Sequence, residues 1–597
     1  MNLTPQPVAE KRSASVEPAG ERALAEQWLD KFNVALHSAS PSSVAMLFAP
    51  ESHWRDLLAF TWSITPSQGA EAIAALMVAK QAATKARGFA IAEGRTPPRR
   101  VTRAGVDVIE AIFRFETGVG RGFGVLRLLA SAPTRAVQIM TSLHELKGFE
   151  EKIGERRPTG SAYSRNFGGT NWMDQRVAHS AYTDREPTVL IAGGGQAGLS
   201  LAATLGLIGV DALVVDKLPR AGDCWRTRYH SLALHNNTEF NHLPYMPYPP
   251  NWPTYLPKDM LADWFEAYAW AMEINLWTGT EFVTGDYDAA AGRWNATVRR
   301  ADGSVRTLHP KHLVFANGLV GAPSKPDLPG LKDFKGDVVH TAEYTQGARW
   351  RGKKALILGT GTSAHDVAHD LYAYEVDTTM IQRGPTTVVS INPSAKMIYG
   401  VYEGVPLEDG DLFASTNTLP VIRKNLQLLT ARMVEQDRKL IDGLIARGFK
   451  WSMGDDNAGH QMLIRRRYGG YFLDGGCAQL IIDGKIGIMQ FDQIDRFVAD
   501  GALLKDGTAK PADLIVLGTG FVKQEVMVRK MLGDAIANKV GPVWGIAPDG
   551  EMNNMWRRTP QEGLWFIGGS FSNCRTYSRY VAMQIKAMEE GILPKNS

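Results

Sequence analysis

The sequence contains little cysteine, with only Cys224, Cys477 and Cys574 among its 597 residues. These three residues are far apart and form no C-x-x-C or C-x4-C pair. The spacing argues against a disulfide framework, a zinc site and a dithiol redox centre. Each cysteine is instead expected to be a partly buried thiol that packs as a small hydrophobic residue. We therefore predict no metal ion and no chemistry that depends on paired thiols.

The chain also lacks long apolar runs and an excess of charge of one sign. No run of about eighteen apolar residues occurs, and the first residues have no apolar signal core, so neither membrane spanning nor secretion is predicted. The 66 Lys and Arg residues nearly balance the 62 Asp and Glu residues. This balance predicts no nucleic-acid partner and no acidic-membrane partner. We expect a cytoplasmic protein that acts on a small molecule.

What is present fits an α/β enzyme of several domains. A length of 597 residues allows roughly three or four domains of about 150 residues each. A hydrophobic content of 44% with 59 glycines is typical of a globular α/β chain with many tight turns. Residues 1 to 20 are rich in Pro, Ser, Glu and Lys and are predicted to be a disordered leader.

Residues 21 to 150 predict a small α+β domain. The segment ERALAEQWLDKFNVALHSA has apolar residues at helical spacing, and ESHWRDLLAF and EAIAALMVAKQAATKA are interpreted as further helices. Later segments alternate with the period of two that is typical of strands: VIEAIFRFET, GFGVLRLLA and RAVQIMTSLHELK. Helices followed by antiparallel strands predict an α+β unit.

This order resembles the nuclear-transport-factor-2-like cone, also called SnoaL-like, whose fold is shared with ketosteroid isomerase. Such cones sometimes hold an active-site acid, so His53, Asp56 and His144 are candidate catalytic residues. The alternative is a domain used for dimerisation or for covering its neighbour, and we favour this alternative because fold alone does not imply function.

The first glycine-rich turn follows a linker predicted over residues 151 to 186. Val189–Ala192 predicts a strand, Gly193, Gly195 and Gly198 form G-x-G-x-x-G, and a second strand ends at Asp216. The glycines permit a tight turn, close approach of a pyrophosphate and close packing of helix on strand, and the acid can accept ribose hydroxyls. An acid at this position favours FAD or NAD over NADP. The candidate binding residues are Gly193, Gly195, Gln196, Ala197, Gly198, Asp216 and Lys217.

An aromatic loop follows, from about residue 221 to residue 257. Trp225 or Tyr229 is a candidate wall for a flat ring system, with His235, Asn236 and Asn237 as polar groups at the edge of the ring. The alternative for each residue is a place in a well-packed structural loop.

The second glycine-rich turn ends differently. Gly359 and Gly361 with Ala364 form G-x-G-x-x-A after a predicted strand, and the following strand ends at Gln382 and Arg383. A guanidinium at this position can pair with a 2′-phosphate, which favours NADPH, although Gln382 leaves NADH possible. Two such folds predict electron transfer from NADPH to FAD. The candidate binding residues are Gly359, Gly361, Thr362, Ser363 and Arg383.

Between the two turns, Phe334, Gly336, His340 and Tyr344 form F-x-G-x-x-x-H-x-x-x-Y. From the residues alone, the glycine is expected to let the backbone bend and the histidine to form a hydrogen bond across a domain junction. Between two glycine fingerprints, this pattern is similar to the identifying motif of the flavin-containing monooxygenases. These class B flavoprotein monooxygenases include the plant YUCCA enzymes and are related to Baeyer–Villiger monooxygenases.

The resemblance covers residues 187 to 597 and implies tandem Rossmann-like FAD and NAD(P)H domains after the small α+β cone. The implied ranges are 187 to 325 for the first part of the FAD domain, 326 to 510 for the NADPH domain and 511 to 597 for the C-terminal part of the FAD domain. Further matches are GDCWRTRY, LPYMPYP, DLIVLGTGF and the C-terminal segment from GLWFIGGSF. In the family that segment completes the FAD site, which implies binding roles for Gly568 and Gly569.

The resemblance also implies a reaction. NADPH would reduce FAD, and O2 would give a C4a-hydroperoxyflavin that inserts one oxygen atom into a small organic substrate. His235, Asn236 and bound NADP⁺ are the candidate donors that hold the peroxide, although Leu234-His235-Asn236 departs from the family's T-N pair. Tyr344-Thr345 favours N- or S-oxygenation.

Other functions stay open at this stage. Baeyer–Villiger oxygenation of ketones is the alternative, and an NADPH oxidase or flavin reductase is more distant. A flavin disulfide reductase would need the paired cysteines that the chain lacks. A binding protein that senses flavin redox state would not need the second nucleotide site. The extra cone domain suggests a homodimer.

Overall fold

The computed structural model describes residues 19–160, 163, 165–319 and 322–593. Most of the predicted leader, residues 1 to 18, lies outside the described residues. Spatial contacts divide the chain into two units: unit 1 contains Met1–Thr61, Pro66–Leu143 and Gly404–Asn417, and unit 2 contains the rest. Among the described residues, no helix is both long and apolar enough to cross a membrane, and no cluster of three or more His, Cys, Asp or Glu residues could hold a metal ion.

Unit 1 combines helices with a seven-stranded sheet. The helices are α1 (Ala19–His37), α2 (Pro41–Ala45) and α3 (Ala70–Thr84). The strands are β1 (Phe48–Leu57), β2 (Ile64–Gln68), β3 (Arg87–Ile91), β4 (Arg99–Arg103), β5 (Val106–Glu116), β6 (Gly120–Leu129) and β7 (Ala132–Leu146). Their order is β2-β1-β7-β6-β5-β3, with β4 paired to β5. The aromatic face of α1 packs on this sheet through Trp28 and Phe32, which contact the rings of Phe48 and Phe89.

One helix prediction in this unit is wrong. ESHWRDLLAF is not helical, because most of it belongs to β1, which pairs in parallel with β7. The segment has a continuous buried run from Trp54 to Leu57. This buried run includes the charged residues Arg55 and Asp56, so the hydrophobic pattern of the segment does not distinguish a buried strand from a helix. Pairing with a strand more than eighty residues later decides the structure.

Unit 2 contains the remaining elements except helix α9. The helices begin with α4 (Trp172–Ala181), α5 (Gln196–Leu207), α6 (Asp223–Arg226), α7 (Lys258–Ala271), α8 (Thr362–Ala373) and α9 (Leu407–Ser415), of which α9 groups with unit 1. They continue with α10 (Leu419–Gln436), α11 (Arg438–Ala446), α12 (Gly459–Arg467), α13 (Cys477–Ile482), α14 (Gln524–Val540) and α15 (Phe571–Glu589). Helix α4 lies inside the segment that was predicted to be a linker.

The strands of unit 2 follow in chain order. The first are β8 (Val189–Ala192), β9 (Ala212–Val215), β10 (Asn275–Trp277), β11 (Thr280–Asp288), β12 (Arg293–Arg300), β13 (Val305–Leu308), β14 (His312–Phe315), β15 (Asp337–His340) and β16 (Lys354–Leu358). The others are β17 (Asp377–Gln382), β18 (Thr387–Ser390), β19 (Tyr471–Asp474), β20 (Gly487–Gln490), β21 (Ile494–Val498), β22 (Gly501–Leu504), β23 (Ala509–Pro511), β24 (Leu514–Leu517) and β25 (Leu564–Phe566).

Two five-stranded parallel sheets dominate this unit. The first has the order β10-β9-β8-β14-β25 and the second the order β15-β24-β16-β17-β20. Each sheet contains a strand, a glycine-rich turn, a helix and a second parallel strand, which is the Rossmann-like arrangement. The carboxyl ends of parallel strands meet at one edge of a sheet, so each glycine-rich turn lies at the edge where such folds bind nucleotides. The α/β class with tandem Rossmann-like folds is confirmed.

Two of the predicted domain boundaries differ from the structure. Strand β24 falls in the range assigned to the C-terminal part of the FAD domain, but it pairs with β15 and β16 in the second sheet. Residues 404–417 fall in the range assigned to the NADPH domain, but their contacts group them with unit 1. Neither segment has a local pattern that reveals its partner, because both partners are distant in sequence.

The F-x-G-x-x-x-H-x-x-x-Y motif packs the edge strand of the second sheet. A Cβ on Gly336 would lie 2.3 Å from the Asp513 carbonyl oxygen and 2.5 Å from the Phe334 ring. The glycine is therefore needed for close approach and not, as the sequence suggested, for a bend. His340 ends β15 and its Nε2 lies 2.9 Å from the Gly520 carbonyl oxygen. Because Nδ1 accepts from the Ala342 amide, Nε2 carries the proton and donates to this carbonyl; burial lowers the pKa of His340.

The last motif residue fastens the strand to helix α8. The Tyr344 hydroxyl donates to the Asp370 carboxylate over 2.5 Å, and burial with this carboxylate beside it raises the pKa of the hydroxyl. The Tyr344 ring stacks on Trp350. The four motif residues thus have structural roles, and they hold in place the chain segment that leads into the second nucleotide fold.

We expect Gly336→Ala to lower the free energy of unfolding by about 1–3 kcal/mol, because the added methyl group overpacks the Phe334 ring and the Asp513 carbonyl. Chemical unfolding followed by tryptophan fluorescence measures the change. Gly206→Ala is the matched control, since Gly206 is exposed on α5 with nothing within 4 Å of a built Cβ. Equal stability of the two variants would contradict the close-approach role.

Candidate active site

The first glycine-rich turn is shaped for close approach to a ligand. Gly193 has a φ of +118°, and a Cβ there would lie 2.5 Å from the Ala316 carbonyl oxygen. A Cβ on Gly198 would lie 1.9 Å from the Gly193 carbonyl oxygen. Gly195 differs, because its nearest neighbour would be the Cys224 sulfur at 3.9 Å. The space above Gly195 is open, so a pyrophosphate can reach the free amides at the start of α5.

Asp216 closes this turn from the end of β9. Its carboxylate accepts hydrogen bonds from the Gly194 amide over 2.6 Å and from the Leu218 amide over 2.8 Å. Each oxygen retains a further lone pair that can accept from a ribose hydroxyl. Lys217, which follows, is exposed. The donor set and the open turn fit the nucleotide half of a flavin dinucleotide.

The C-terminal segment returns to the same turn. Gln196 at the start of α5 donates from Nε2 to the Gly569 carbonyl oxygen over 3.3 Å, and Gly569 has a φ of +109°. The Trp225 ring stacks on Phe571 at a centroid distance of 5.9 Å. The Trp225 indole N–H is buried and has no partner among the described residues. An orphaned buried donor beside an open glycine turn indicates a place for a polar ligand.

The second glycine-rich turn repeats this geometry. Gly359 has a φ of +119°, and a Cβ there would lie 2.3 Å from the Gly518 carbonyl oxygen. The space beside Gly361 is open, because a Cβ at this position would have its nearest neighbour at 3.8 Å. Helix α8 begins at Thr362 without a side-chain cap, so its first amides, including those of Thr362 and Ser363, are available to a phosphate group.

The two residues at the end of β17 have different roles. Gln382 is fully buried, and its side-chain amide exchanges hydrogen bonds of 2.8 and 2.7 Å with the backbone of Lys450. Its side chain is therefore occupied, and the expectation that Gln382 leaves room for NADH has no support from its contacts. Arg383 is exposed and makes no hydrogen bond or ion pair with any described residue. Arg383 is the cation that a 2′-phosphate at this strand end would meet.

Two chain crossings run side by side between the sheets. The Ser324 amide donates to the Gly520 carbonyl oxygen over 2.9 Å, and the Val522 amide donates to the Ala322 carbonyl oxygen over 2.9 Å. Gln524 donates to the Asn317 side chain over 3.0 Å and also to the Gly318 carbonyl oxygen. These contacts join the segments that follow β14 and β24, so the two parallel sheets are connected by paired crossings.

The candidate catalytic residue His235 lies beside a carboxylate from helix α8. Its Nε2 is 3.6 Å from the Asp366 carboxylate oxygen, and both side chains are about three-quarters buried, with exposures of 24% and 21%. The same Asp366 oxygen accepts a hydrogen bond from the Tyr229 hydroxyl. Tyr229 is buried in the core of the second fold, so it does not serve as an open wall for a ring system. The aromatic loop and helix α8 thus meet at Asp366.

Asn236 offers a second polar group on this loop. The Asn241 amide donates to the backbone carbonyls of Asn236 and Asn237 over 3.1 and 3.0 Å, which fixes the loop. The half-buried side chain of Asn236 has no protein partner within the described residues. Phe240 covers the following turn and stacks on Tyr399 at a centroid distance of 4.4 Å. The loop therefore presents polar groups under an aromatic cover.

Two further acid–base candidates, Asp56 and His144, belong to different units. Asp56 of unit 1 is fully buried and accepts hydrogen bonds from Phe60, Thr61 and Thr141. Burial raises its pKa to about 6 against the effect of these bonds. His144 belongs to unit 2, where the Arg579 guanidinium donates to its ring. The saturated hydrogen bonding of Asp56 indicates a structural role.

The cysteines offer no redox pair. All three are free thiols. Burial raises the pKa of Cys224 and of Cys574 to about 12 and raises that of Cys477 as well. Thiolates are the reactive form, so these residues do not supply dithiol chemistry.

Comparison with known proteins identifies the family. Residues 220–540 match the model of the flavin-binding monooxygenase-like family, and this match spans more than half of the 597-residue chain. The chain belongs to that family. It is a flavin-dependent monooxygenase.

Curated relatives of the monooxygenase include plant enzymes. The indole-3-pyruvate monooxygenase YUCCA1 of Oryza sativa subsp. japonica is 29% identical over 397 residues, which cover 66% of this chain and 90% of that protein. The probable indole-3-pyruvate monooxygenase YUCCA4 of Arabidopsis thaliana is 34% identical over 204 residues, which cover 34% of this chain and 48% of that protein.

Two solved structures of monooxygenases also match this chain at low identity. The flavin-containing monooxygenase from Stenotrophomonas maltophilia is 17% identical with a TM-score of 0.45, and the match covers 67% of this chain and 98% of that one. The cyclohexanone monooxygenase from Rhodococcus sp. Phi1 bound to NADP⁺ is 18% identical with a TM-score of 0.45, and the match covers 68% of this chain and 84% of that one.

Sequence reasoning missed several site residues of this monooxygenase. Asp366 carries no motif signal for contact with His235, although its place in the first turns of α8 could have marked it as a carboxylate close to the second nucleotide turn. Gln524 and Tyr399 were also missed, since neither lies in a glycine-rich or polar motif. The candidate residues of the two turns stay predictions, but their geometry is compatible with dinucleotide binding.

We expect Gly195→Val to fold and to lose flavin. The backbone of Gly195 is extended, with φ of −81° and ψ of −169°, so valine is allowed there, but its side chain would fill the open space that a pyrophosphate needs. The ratio of flavin to protein absorbance measures the loss, and circular dichroism reports the fold. Gly206→Val on the exposed side of the same helix is the control and should keep its flavin. Full flavin content in Gly195→Val would contradict this placement.

Proposed function

We propose that this monooxygenase uses FAD, NADPH and O2 to insert one oxygen atom into a small organic substrate at nitrogen, sulfur or carbon. The observation that carries the proposal is the pair of glycine-rich turns that end in opposite charges, Asp216 in the first fold and Arg383 in the second. A carboxylate suits the ribose hydroxyls of FAD, and a free guanidinium suits the 2′-phosphate of NADPH.

Different residues of this chain would bind the two cofactors. Gly193, Gly195 and Asp216 would hold the adenine half of FAD, with the Gly568-Gly569 turn closing the site from the C-terminal segment. Gly359, Gly361 and Arg383 would hold NADPH. Bound flavin supplies the O2 chemistry through a C4a-hydroperoxyflavin, while the protein excludes water and orients the substrate.

His235 and Asn236 are the proposed donors on the aromatic loop. A hydrogen-bond donor fixed in a water-poor site stabilises developing negative charge better than water does. The Asp366 carboxylate lies 3.6 Å from Nε2 of His235. Asp366 belongs to helix α8, which begins at the second nucleotide turn, so this contact connects the loop to that helix. The donor would therefore lie where the aromatic loop meets helix α8.

Substrate class is proposed from chemistry alone. A protonated peroxide oxidises amines and sulfides, and a deprotonated peroxide attacks ketones. The screen for oxygenation products therefore includes sulfides, amines, ketones and aromatic 2-oxo acids, the last because the rice relative is named for indole-3-pyruvate. Baeyer–Villiger oxygenation of ketones is the alternative outcome. A homodimer and a nuclear-transport-factor-2-like identity for unit 1 stay predictions.

Stopped-flow spectroscopy tests the proposal. The protein is loaded with FAD, reduced anaerobically with NADPH and mixed with aerated buffer. A near-ultraviolet flavin species that precedes the return of oxidised flavin, together with an oxygenated product in the screen, supports a monooxygenase. Direct return of oxidised flavin with stoichiometric hydrogen peroxide and no product would indicate an NADPH oxidase or flavin reductase and would overturn the proposal.

In the same experiment, His235→Ala should shorten the lifetime of the near-ultraviolet species by about 100-fold or more, because one fixed donor is lost. The rate of flavin reduction by NADPH should change little, since the loss concerns the oxygen step. His230→Ala, an exposed histidine on the same loop, is the control. An unchanged lifetime in His235→Ala would remove His235 from the proposed site.

Arg383→Gln should raise the KM for NADPH by about 10–100-fold, which is the effect of losing a charge-assisted hydrogen bond to a phosphate. The KM for NADH should stay the same, because NADH has no 2′-phosphate. Steady-state oxidation of both nucleotides measures the difference. Arg351→Gln is the control, since Arg351 forms an exposed ion pair with Glu375. Equal effects on both nucleotides would place the 2′-phosphate elsewhere.

A further inference from the structure

The polar interior of unit 1 binds a helix that the chain supplies from far downstream. Helix α9 and the residues that flank it, 404–417, group with the N-terminal residues of this unit. The last carbonyls of a helix have no partner within the helix. Here buried side chains of the sheet donate to them: Arg127 to Phe413 over 3.2 Å, Arg55 to Ser415 over 2.6 Å and Gln138 to Thr416 over 2.9 Å.

Arg127 is the centre of this arrangement. It is 1% exposed, and its guanidinium also donates to the Asn417 side chain over 2.6 Å and to Gln138 over 2.7 Å. Glu110, which is fully buried, accepts from Arg127 over 2.9 Å. Burial alone would raise the pKa of Glu110, but Arg127, Arg103 and Arg99 outweigh it and lower the pKa to about 2. The cluster is a fixed, charged binding surface for a helix C-terminus.

The first turn of α9 is held as firmly as its end. The Asp409 carboxylate is fully buried and accepts from Arg95 over 3.0 Å and from the Thr96 amide and hydroxyl over 2.7 and 2.6 Å. The Arg99 guanidinium lies 4.9 Å from the centre of the Phe413 ring. Both ends and one apolar side chain of the helix are therefore recognised. Such complete recognition is what a dedicated binding site for a peptide segment requires.

The residues before Gly404 lie in unit 2 and include aromatic side chains that contact the loop that carries His235. A short 3-10 helix, Ala395–Tyr402, precedes the unit boundary at Gly404. Tyr399 and Tyr402 contact the Phe240 ring at centroid distances of 4.4 and 5.1 Å. Phe240 follows the candidate donors closely in the chain, and the Asn241 amide holds the backbone of that loop. A short stretch of chain thus connects α9 to the aromatic cover.

We infer that unit 1 is an intramolecular binding module whose ligand is helix α9, and that its role is to hold the Tyr399–Tyr402 cover on Phe240. The inference rests on the proposed function only for its catalytic consequence. A firm hold on α9 restricts Glu403 and Tyr402 because they are joined to it covalently, and a closed cover keeps water from the loop of His235 and Asn236. The catalytic interpretation of this unit is then unnecessary, since its buried charges are used in binding.

Hydrogen exchange tests the binding role without any cofactor chemistry. We expect Asp409→Asn to speed amide exchange in 407–417 and also in 395–402 by about tenfold or more, because a buried charge-assisted anchor is lost. Glu408→Gln is the matched control: Glu408 pairs with the same Arg95 over 3.1 Å, but its side chain is 77% exposed. The control should exchange at the rate of the unaltered protein.

Asn417→Ala provides a second variant that leaves the Glu110–Arg127 pair in place. It should also speed amide exchange in 407–417 and in 395–402, because it removes an anchor at the C-terminal end of α9. Faster exchange confined to 407–417, with 395–402 unchanged in both variants, would overturn the inference. So would unchanged exchange in both segments, because α9 would then be held by something other than these anchors.

The catalytic consequence is measured as the fraction of NADPH consumed that appears as hydrogen peroxide. Asp409→Asn should raise this fraction at least about twofold while the rate of flavin reduction stays unchanged, since water enters a loosened cover. An unchanged fraction would overturn the role of unit 1 in covering the site. If the unaltered protein forms no oxygenated product, the proposed function fails, but the exchange experiment still decides whether unit 1 holds the cover.

Discussion

The architecture of unit 2 depends on the contact between the first glycine of each nucleotide turn and the end of a neighbouring strand. Gly193 abuts the Ala316 carbonyl, and Gly359 abuts the Gly518 carbonyl, with no room for a side chain in either place. This contact packs each glycine-rich turn against the end of the strand from which one of the paired crossings leaves. Both turns therefore pack beside the same pair of hydrogen-bonded crossings.

Helix α8 links the nucleotide turn to the rest of the site through two carboxylates. Asp366 and Asp370 are one turn apart and lie on the same face of the helix. They accept hydrogen bonds from the Tyr229 and Tyr344 hydroxyls respectively. Through these bonds one helix holds both the aromatic loop that carries His235 and the F-x-G-x-x-x-H-x-x-x-Y segment. A displacement of the N-terminal end of α8 would therefore move both the aromatic loop and the motif segment.

The buried charges of unit 1 are bonded to local groups or to helix α9. Asp56 has the burial of a catalytic carboxylate, but its hydrogen bonds are satisfied by local groups. The remaining buried charges are directed at helix α9. Isolated charges inside a protein are costly, so a buried cluster of arginines needs matched acceptors. The carbonyls and side chains of residues 409–417 are those acceptors, which explains why this segment leaves the nucleotide fold.

The sequence by itself determined the family motif, the two glycine-rich turns and the opposite residues Asp216 and Arg383, because each of these is a local pattern within one strand-turn-helix-strand unit. Tertiary structure alone decided that Asp366 meets His235, that Gln382 turns to Lys450, and that ESHWRDLLAF is a strand. It also decided that residues 404–417 join unit 1. These outcomes depend on contacts between segments far apart in the chain, for which spacing and periodicity carry no signal.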